Sequence, residues 1–137
     1  MDPKVERLAA VPLFASSDKK SLERLASAID VIEVEEGATL FRQGAMQHEA
    51  FVIESGTATV SIDGEVIAEI PEGEMIGEIG LLTRQPASAT VVASSPMSLL
   101  MIPHQRFAQV LDDVPGLGTA IAYELAKRLQ AMDARLH

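Results

Sequence analysis

The sequence contains no cysteine and no tryptophan among its 137 residues. Without cysteine, a disulfide framework and thiolate chemistry are both excluded. No run of about 18 apolar residues occurs, so we expect no membrane span. The N-terminus, M-D-P-K-V-E-R-L, is charged and lacks the apolar core of a signal peptide. We therefore expect a soluble, cytoplasmic protein.

Positive charge is also scarce, since 11 Lys and Arg residues stand against 20 Asp and Glu residues, for a net charge of −9. Nucleic acids and anionic membranes attract proteins mainly through Lys and Arg. We therefore expect neither nucleic acid nor a membrane as a partner. Hydrophobic residues make up 47% of the chain, which is enough for the core of a single domain.

The patterns that mark catalytic or metal sites are missing as well. His48, His104 and His137 share no metal-ligand spacing, and no G-x-S-x-G nucleophile elbow occurs. The glycines between positions 73 and 80 lack the Lys-Ser/Thr of a P-loop and the Rossmann spacing. We therefore expect no enzyme activity, no catalytic residue and no metal site.

Hydrophobic periodicity divides the chain, read as one domain over 1–137, into three parts. Residues 1–29 have the spacing of N-terminal helices. Residues 30–103 change to alternation with glycine turns, giving about eight short strands and a strong hairpin signal at Asp63-Gly64. Residues 104–137 return to a helical pattern, with a long helix from about 117 to 136. The pattern predicts a mainly β fold with flanking helices, an antiparallel β-roll or jelly-roll-like barrel.

The most informative stretch runs from residue 73 to residue 92. Gly77 allows a turn, Glu78 to Leu82 is long enough for about one helical turn, and Pro86 ends it. A short helix that opens beside glycine has free backbone N–H groups, which can bind an anion. Together with the carboxylate of Glu78, which can accept a sugar hydroxyl, this arrangement suits a small phosphate ester.

This stretch, I-G-E-I-G-L-L followed by P-A-S-A-T-V, resembles the phosphate-binding cassette of cyclic-nucleotide-binding domains of the catabolite-activator and protein-kinase-A regulatory type. The flanking L-A-A-V-P-L-F-A and G-A-T-L-F-R-Q-G extend the resemblance over nearly the whole chain. It implies a non-enzymatic regulatory or sensor domain with cAMP or cGMP as ligand and no other cofactor. The ligand-binding residues that it implies are Gly77, Glu78, Ile79, Gly80, Leu81, Ser88 and Thr90.

The resemblance also implies a role for each of these groups. Glu78 would accept the ribose 2′-hydroxyl, and backbone N–H groups near Ile79, Gly80 and Leu81 would bind the exocyclic phosphate oxygens. Ser88 and Thr90 would add hydroxyl groups. In catabolite-activator-like members, hydroxyl residues of the long helix meet the adenine, whereas the matching positions here are Met132 and Asp133, so base selectivity has no assigned source.

One position departs from the family pattern, because Ala87 stands where the cassette has an arginine that pairs with the phosphate. A hydrogen bond to a charged group contributes about 1.5–3 kcal/mol. Arg84, three residues earlier, would restore the charge if it folded inward, or would point to solvent. Two interpretations stay open. In one, the domain binds a cyclic nucleotide weakly or atypically; in the other, Gly77 and Glu78 are only a turn and a helix start in a ligand-free dimerisation or protein-docking module.

The long helix carries an apolar stripe at the spacing of one helical face, Ile121, Leu125, Leu129 and Met132. Two arrangements fit this stripe. The helix can cover its own barrel, or it can form the seam of a homodimer through residues 117–136. The resemblance favours the second arrangement, since the equivalent helix of the family often pairs two protomers.

Overall fold

The computed structural model describes residues 2–15, 17–114 and 116–136. The helices are α1 Pro3–Ala9, α2 Lys19–Ala28, α3 Glu78–Thr83, α4 His104–Asp113 and α5 Leu117–Leu136, with a 3₁₀ turn at Pro12–Phe14. The strands are β1 Asp30–Val34, β2 Thr39–Phe41, β3 Glu49–Ser55, β4 Ala58–Ile62, β5 Glu65–Ile70, β6 Met75–Ile76, β7 Thr90–Ala93 and β8 Met97–Pro103. This order confirms the predicted mainly β fold with flanking helices.

The strands form two four-stranded antiparallel sheets, in the orders β1-β8-β3-β6 and β2-β7-β4-β5. Many neighbours in each sheet are distant in sequence, so the chain passes repeatedly from one sheet to the other, as in a jelly roll. The hairpin predicted at Asp63-Gly64 joins β4 to β5, and both residues have positive φ angles, 52° and 82°, as a type I′ turn requires. The predicted antiparallel roll is therefore confirmed.

Strand β6 was not predicted, because two residues are too few to produce an alternating pattern. Met75 pairs with Val52 of β3, and Ile76 pairs with Phe51. The pairing fixes the chain at the edge of the first sheet immediately before α3. It thereby positions the short helix that the sequence singled out.

Two hydrophobic cores lie on either side of the first sheet. One joins the helices α1, α2, α4 and α5 to that sheet. The other lies between the two sheets and includes Phe41 and Phe51, whose ring centroids are 5.4 Å apart with the rings tilted by 49°. The helices thus form a layer outside the roll, and the interior between the sheets has its own apolar filling.

Only part of the apolar stripe predicted on α5 packs against its own domain. Ile121 is buried in the helical core, and Leu125 packs against that core while remaining partly exposed. Leu129, two turns beyond Ile121, is 61% exposed. The side chains of Met132 and Asp133 lie outside the described residues. The first half of the stripe is therefore explained by packing into the core between the helices and the first sheet.

A polar contact ties the helical layer to the first sheet. Arg7 of α1 donates from Nε to Oε2 of Glu54 at 2.8 Å and from Nη2 to Oε1 of the same carboxylate. Ser98 of β8 donates to Glu54 as well, at 2.6 Å. The hydrogen bonds from Arg7 hold the pKa of Glu54 below its usual value and raise the pKa of Arg7.

Candidate functional site

The short helix α3 begins at a glycine that no other residue can replace without strain. Gly77 is the N-cap residue and has a φ angle of 90°, in the left-handed region that L side chains rarely adopt. A Cβ atom at this position would also overlap the ring of Phe41 and lie 2.8 Å from Nε2 of Gln47. The turn from β6 into α3 therefore needs glycine for its backbone and for its surroundings.

A cavity of about 410 Å³ opens beside the start of α3. Its volume falls within the range of about 300–1,000 Å³ that is typical of ligand sites. The polar side chains that line it are Gln47, Glu78, Thr83, Gln85 and Ser88. The lining residues with apolar side chains include Phe41, Val60, Ile70, Ile76, Pro86, Ala87 and Val91. A few polar groups in a mostly apolar wall are what a small-molecule site offers.

Glu78 is the first residue of α3 and is only 2% exposed. Carboxylates are rarely so deeply buried in proteins unless they have partners or a function. The residue has partners within the chain and also lines the cavity. A carboxylate in this place can accept a hydrogen bond from a hydroxyl group of a bound molecule.

The cavity brings together four of the predicted ligand-binding residues, which are Gly77, Glu78, Gly80 and Ser88. The backbone of Ile79 lies between them in α3, while its side chain is outside the described residues. These residues come from the two ends of the cassette, on either side of the loop that follows α3. The short helix and the return toward β7 therefore form one wall of the cavity.

The other three predicted residues lie elsewhere. Leu81 is buried in the helical core, and its N–H donates to the carbonyl of Gly77 at 3.3 Å, so this N–H is engaged within the helix. The hydroxyl of Thr90 accepts a hydrogen bond from the N–H of Gln43 at 3.0 Å. Arg84 is exposed at the C-terminal end of α3. None of the three is among the described residues that line the cavity.

Ala87, which replaces the cassette arginine, lines the cavity and is 6% exposed. Its backbone is fixed by two hydrogen bonds of 2.8 Å, from its N–H to the carbonyl of Ala45 and from the N–H of Gly44 to its carbonyl. The Cα atom of residue 87, from which any substituted side chain would extend, is therefore fixed in the cavity wall.

The described lining of the cavity contains one acidic side chain and no basic one. Among the lining residues in the described part of the chain, Glu78 is the only one with an ionisable side chain, and no Lys, Arg or His is present. An anionic ligand would therefore meet hydrogen-bond donors but no cation.

Gln47 is a site residue that sequence reasoning missed. Its Nε2 donates to the carbonyl of Gly77 at 3.1 Å, and its side chain lies directly over Gly80, where an added Cβ would come within 2.6 Å of Cδ. The two hydrogen-bonded positions are 30 residues apart. No local pattern could reveal a contact over that separation, and Gln47 belongs to no motif.

Two other kinds of functional feature are absent from the described residues. Within the described ranges, no group of three or more His, Asp or Glu side chains is placed to hold a metal ion. No helix in the same ranges is both long enough and apolar enough to cross a bilayer.

Comparison with known proteins identifies relatives of the whole chain. Acetyltransferase Pat of Mycolicibacterium smegmatis is 34% identical over 128 residues, 90% of this chain and 38% of that protein. An uncharacterized NTE family protein of Mycobacterium tuberculosis is 30% identical over 124 residues, 90% of this chain and 21% of that protein. The chain thus spans about a fifth to two fifths of the length of these curated relatives.

A solved structure agrees with these relatives. A variant of the cAMP-binding acyltransferase from Mycobacterium smegmatis superposes with a TM-score of 0.82 at 33% identity, covering 93% of this chain and 41% of that one. The family model described as cyclic nucleotide-binding domain matches residues 31–114, which include both sheets, α3 and the cavity. The chain belongs to the cyclic nucleotide-binding domain family.

Proposed function

We propose that this domain is a regulatory sensor that binds a cyclic nucleotide, cAMP or cGMP, in the cavity beside α3. The observation that carries the proposal is the cavity of about 410 Å³ with the buried carboxylate of Glu78 in its wall. A similar protein, the acyltransferase of Mycobacterium smegmatis, is described as cAMP-binding. That likeness favours cAMP as the first ligand to test.

The groups around the cavity suggest how such a ligand would lie. Glu78 would accept the ribose 2′-hydroxyl, and the backbone N–H groups of Ile79 and Gly80 would face the phosphate oxygens. Ser88, on the opposite side of the cassette loop, would add a hydroxyl. The apolar side chains of Val60 and Ile70 would line the space left for the rest of the nucleotide.

Binding is expected to be weak or atypical. The cyclic phosphate carries a negative charge, and the described lining of the cavity holds a carboxylate and no cation. One absent charge-assisted hydrogen bond corresponds to about 1.5–3 kcal/mol, or about a 10- to 150-fold loss of affinity. Millimolar ligand is therefore the appropriate concentration for the first measurement.

The sensor proposal predicts that Glu78→Ala removes binding. Millimolar cAMP should raise the melting temperature of the wild-type domain, because a ligand that binds only the folded state stabilises it. The variant loses the acceptor for the ribose hydroxyl and should bind about 10- to 150-fold more weakly. Its melting temperature should no longer respond to cAMP in thermal unfolding experiments.

Glu72→Ala is the matched control for this experiment. Glu72 is an exposed residue of the turn before β6 and does not line the cavity, so its loss changes the net charge equally without touching the site. This control should keep the wild-type response. A wild-type protein that shows no melting shift and no heat of binding with millimolar cAMP or cGMP would contradict the sensor function.

A second candidate function is a ligand-free dimerisation or protein-docking module. Two observations favour it: the absence of a cation from the described lining and the seating of Gln47 against Gly77 and Gly80. The long helix α5 would then provide the surface that binds a partner, since its Tyr123 and Leu129 are both largely exposed. In either function we propose that α5 communicates with a second copy of the chain or another protein.

The homodimer through residues 117–136 is best tested at Leu129 rather than at Leu125. Leu125 packs against its own helical core, so its substitution would also disturb folding, whereas Leu129 is 61% exposed. If α5 forms the seam, Leu129→Glu places a charge in an apolar contact and should convert the dimer to monomer in sedimentation velocity experiments. Leu82→Glu, at an exposed leucine of α3, should leave the mass unchanged. An unchanged mass of the Leu129 variant would exclude the seam.

The domain itself is proposed to be non-enzymatic and cytoplasmic. The longer relatives include an acetyltransferase and an NTE family protein. By analogy, the output of this domain would be control of a catalytic partner rather than catalysis in the cavity.

A further inference from the structure

We propose that Gln47 is a gate over the nucleotide cavity: its carboxamide occupies the space at Gly77 and Gly80 that the phosphate of a cyclic nucleotide needs, and it must swing away for the ligand to bind. The proposal rests on the proposed sensor function. It assigns an affinity-determining role to a residue that lies outside the cassette.

The contacts of Gln47 locate its carboxamide closely. One end is held by the hydrogen bond from Nε2 to the carbonyl of Gly77 at 3.1 Å. The other end lies against Gly80, where an added Cβ would come within 2.6 Å of Cδ and overlap Oε1. The side chain also lines the cavity. The carboxamide therefore covers the first turn of α3 on the side that faces the open space.

The same region is where a bound phosphate would lie. Of the backbone N–H groups predicted to bind it, that of Leu81 is engaged by the carbonyl of Gly77, which leaves those near Ile79 and Gly80. A phosphate oxygen at hydrogen-bonding distance from the N–H of Gly80 would come close to the carboxamide of Gln47. Two groups cannot occupy one volume, so binding requires this side chain to change rotamer.

The interactions that hold the Gln47 side chain are weak enough for it to change rotamer. Gln47 lies in the irregular segment between β2 and β3 and is only partly buried. Its carboxamide is anchored by a neutral hydrogen bond to the carbonyl of Gly77, and such a bond contributes about a 2- to 10-fold change in an equilibrium. Removing the gate should therefore tighten ligand binding by about 2- to 10-fold.

The test is a calorimetric titration of the full chain and its variants with cAMP. Gln47→Ala should bind about 2- to 10-fold more tightly than the wild type, or should bind measurably where the wild type shows no heat. The matched control is Gln105→Ala, which removes an exposed glutamine of α4 that does not line the cavity. Its removal should leave the affinity unchanged. Thermal unfolding establishes that each variant is folded.

The outcomes separate the gate from the sensor function. Weaker or unchanged binding by a folded Gln47→Ala variant overturns the gate, and the sensor function survives if the wild type binds. Weaker binding would in addition make Gln47 a direct ligand contact. Tighter binding by both glutamine variants also overturns the gate, since the effect would then not depend on the position of the carboxamide beside Gly77 and Gly80. Binding by Gln47→Ala alone, with an inert wild type, supports the gate and rejects the sensor function of the natural chain.

Discussion

Ala87→Arg is expected to tighten cAMP binding by about 10- to 150-fold, the factor that corresponds to one charge-assisted hydrogen bond of about 1.5–3 kcal/mol. Position 87 lies in the cavity wall, and its backbone is fixed on both sides by hydrogen bonds to Gly44 and Ala45. A guanidinium group that starts there can reach into the open space without a rearrangement of the main chain. It would bring a positive charge into a cavity whose only ionisable residue, among those described, is Glu78.

The electrostatic setting should make this substitution effective. A phosphate held near the carboxylate of Glu78 is repelled by it, and the repulsion is stronger in a partly desolvated cavity than in water. A guanidinium group between the two would offset this repulsion and could donate to either group in a bidentate manner. In the variant without ligand, the arginine would pair with Glu78 instead, which would help the folded protein to tolerate a large residue at a nearly buried alanine.

Ala87→Met is the control for the added bulk. Methionine is also long and unbranched but carries no charge, so the difference between the two variants measures the contribution of the guanidinium group. Calorimetric titration with cAMP should show the gain for arginine only. Equal affinities of the two variants would mean that the guanidinium group does not contact the phosphate. An arginine variant that is folded but does not bind would mean that the cavity cannot accept the phosphate.

Gly77→Ala is expected to lower the free energy of unfolding by about 2–5 kcal/mol. Two separate effects contribute. Forcing an alanine into the left-handed region costs about 1–2 kcal/mol, and the φ angle here is 90°. The new Cβ would also overlap the ring of Phe41, which is packed against Phe51 between the sheets, and such overpacking costs about 1–3 kcal/mol.

Gly64→Ala separates these two effects. Gly64 also has a positive φ angle, 82°, but an added Cβ there would meet no atom within 4 Å. Only the backbone term of about 1–2 kcal/mol applies to it. Urea denaturation of both variants, with stability extrapolated to water, should show the larger loss for Gly77. Equal losses would mean that Phe41 yields freely and that the turn before α3 is not fixed by packing.

Local signals were sufficient for much of this fold. The change from helical spacing to alternation at residue 30 and the Asp63-Gly64 hairpin depend on neighbouring residues alone, and the structure agrees with both. The start of α3 beside Gly77 was predicted in the same way, from a glycine followed by an acidic residue. Such features follow from backbone sterics and side-chain periodicity, which a single sequence contains.

What the sequence did not reveal depends on contacts between distant positions. The two-residue strand β6 exists because Met75 and Ile76 pair with β3, and Gln47 reaches α3 across 30 positions. The sequence also could not show which part of the apolar stripe of α5 is buried in the domain and which part is exposed. Periodicity identifies the apolar face of a helix but not the surface that covers it.

The two faces of α3 belong to different parts of the molecule. Glu78 and Gly80 border the cavity, whereas Leu81 is embedded in the same core as Leu117 and Ile121 at the root of α5. Close-packed interiors transmit displacement instead of absorbing it. Because Leu81 shares this core with the start of α5, we expect a displacement of α3 to alter the packing of Leu117 and Ile121, which would couple the occupancy of the cavity to the position of the longest helix.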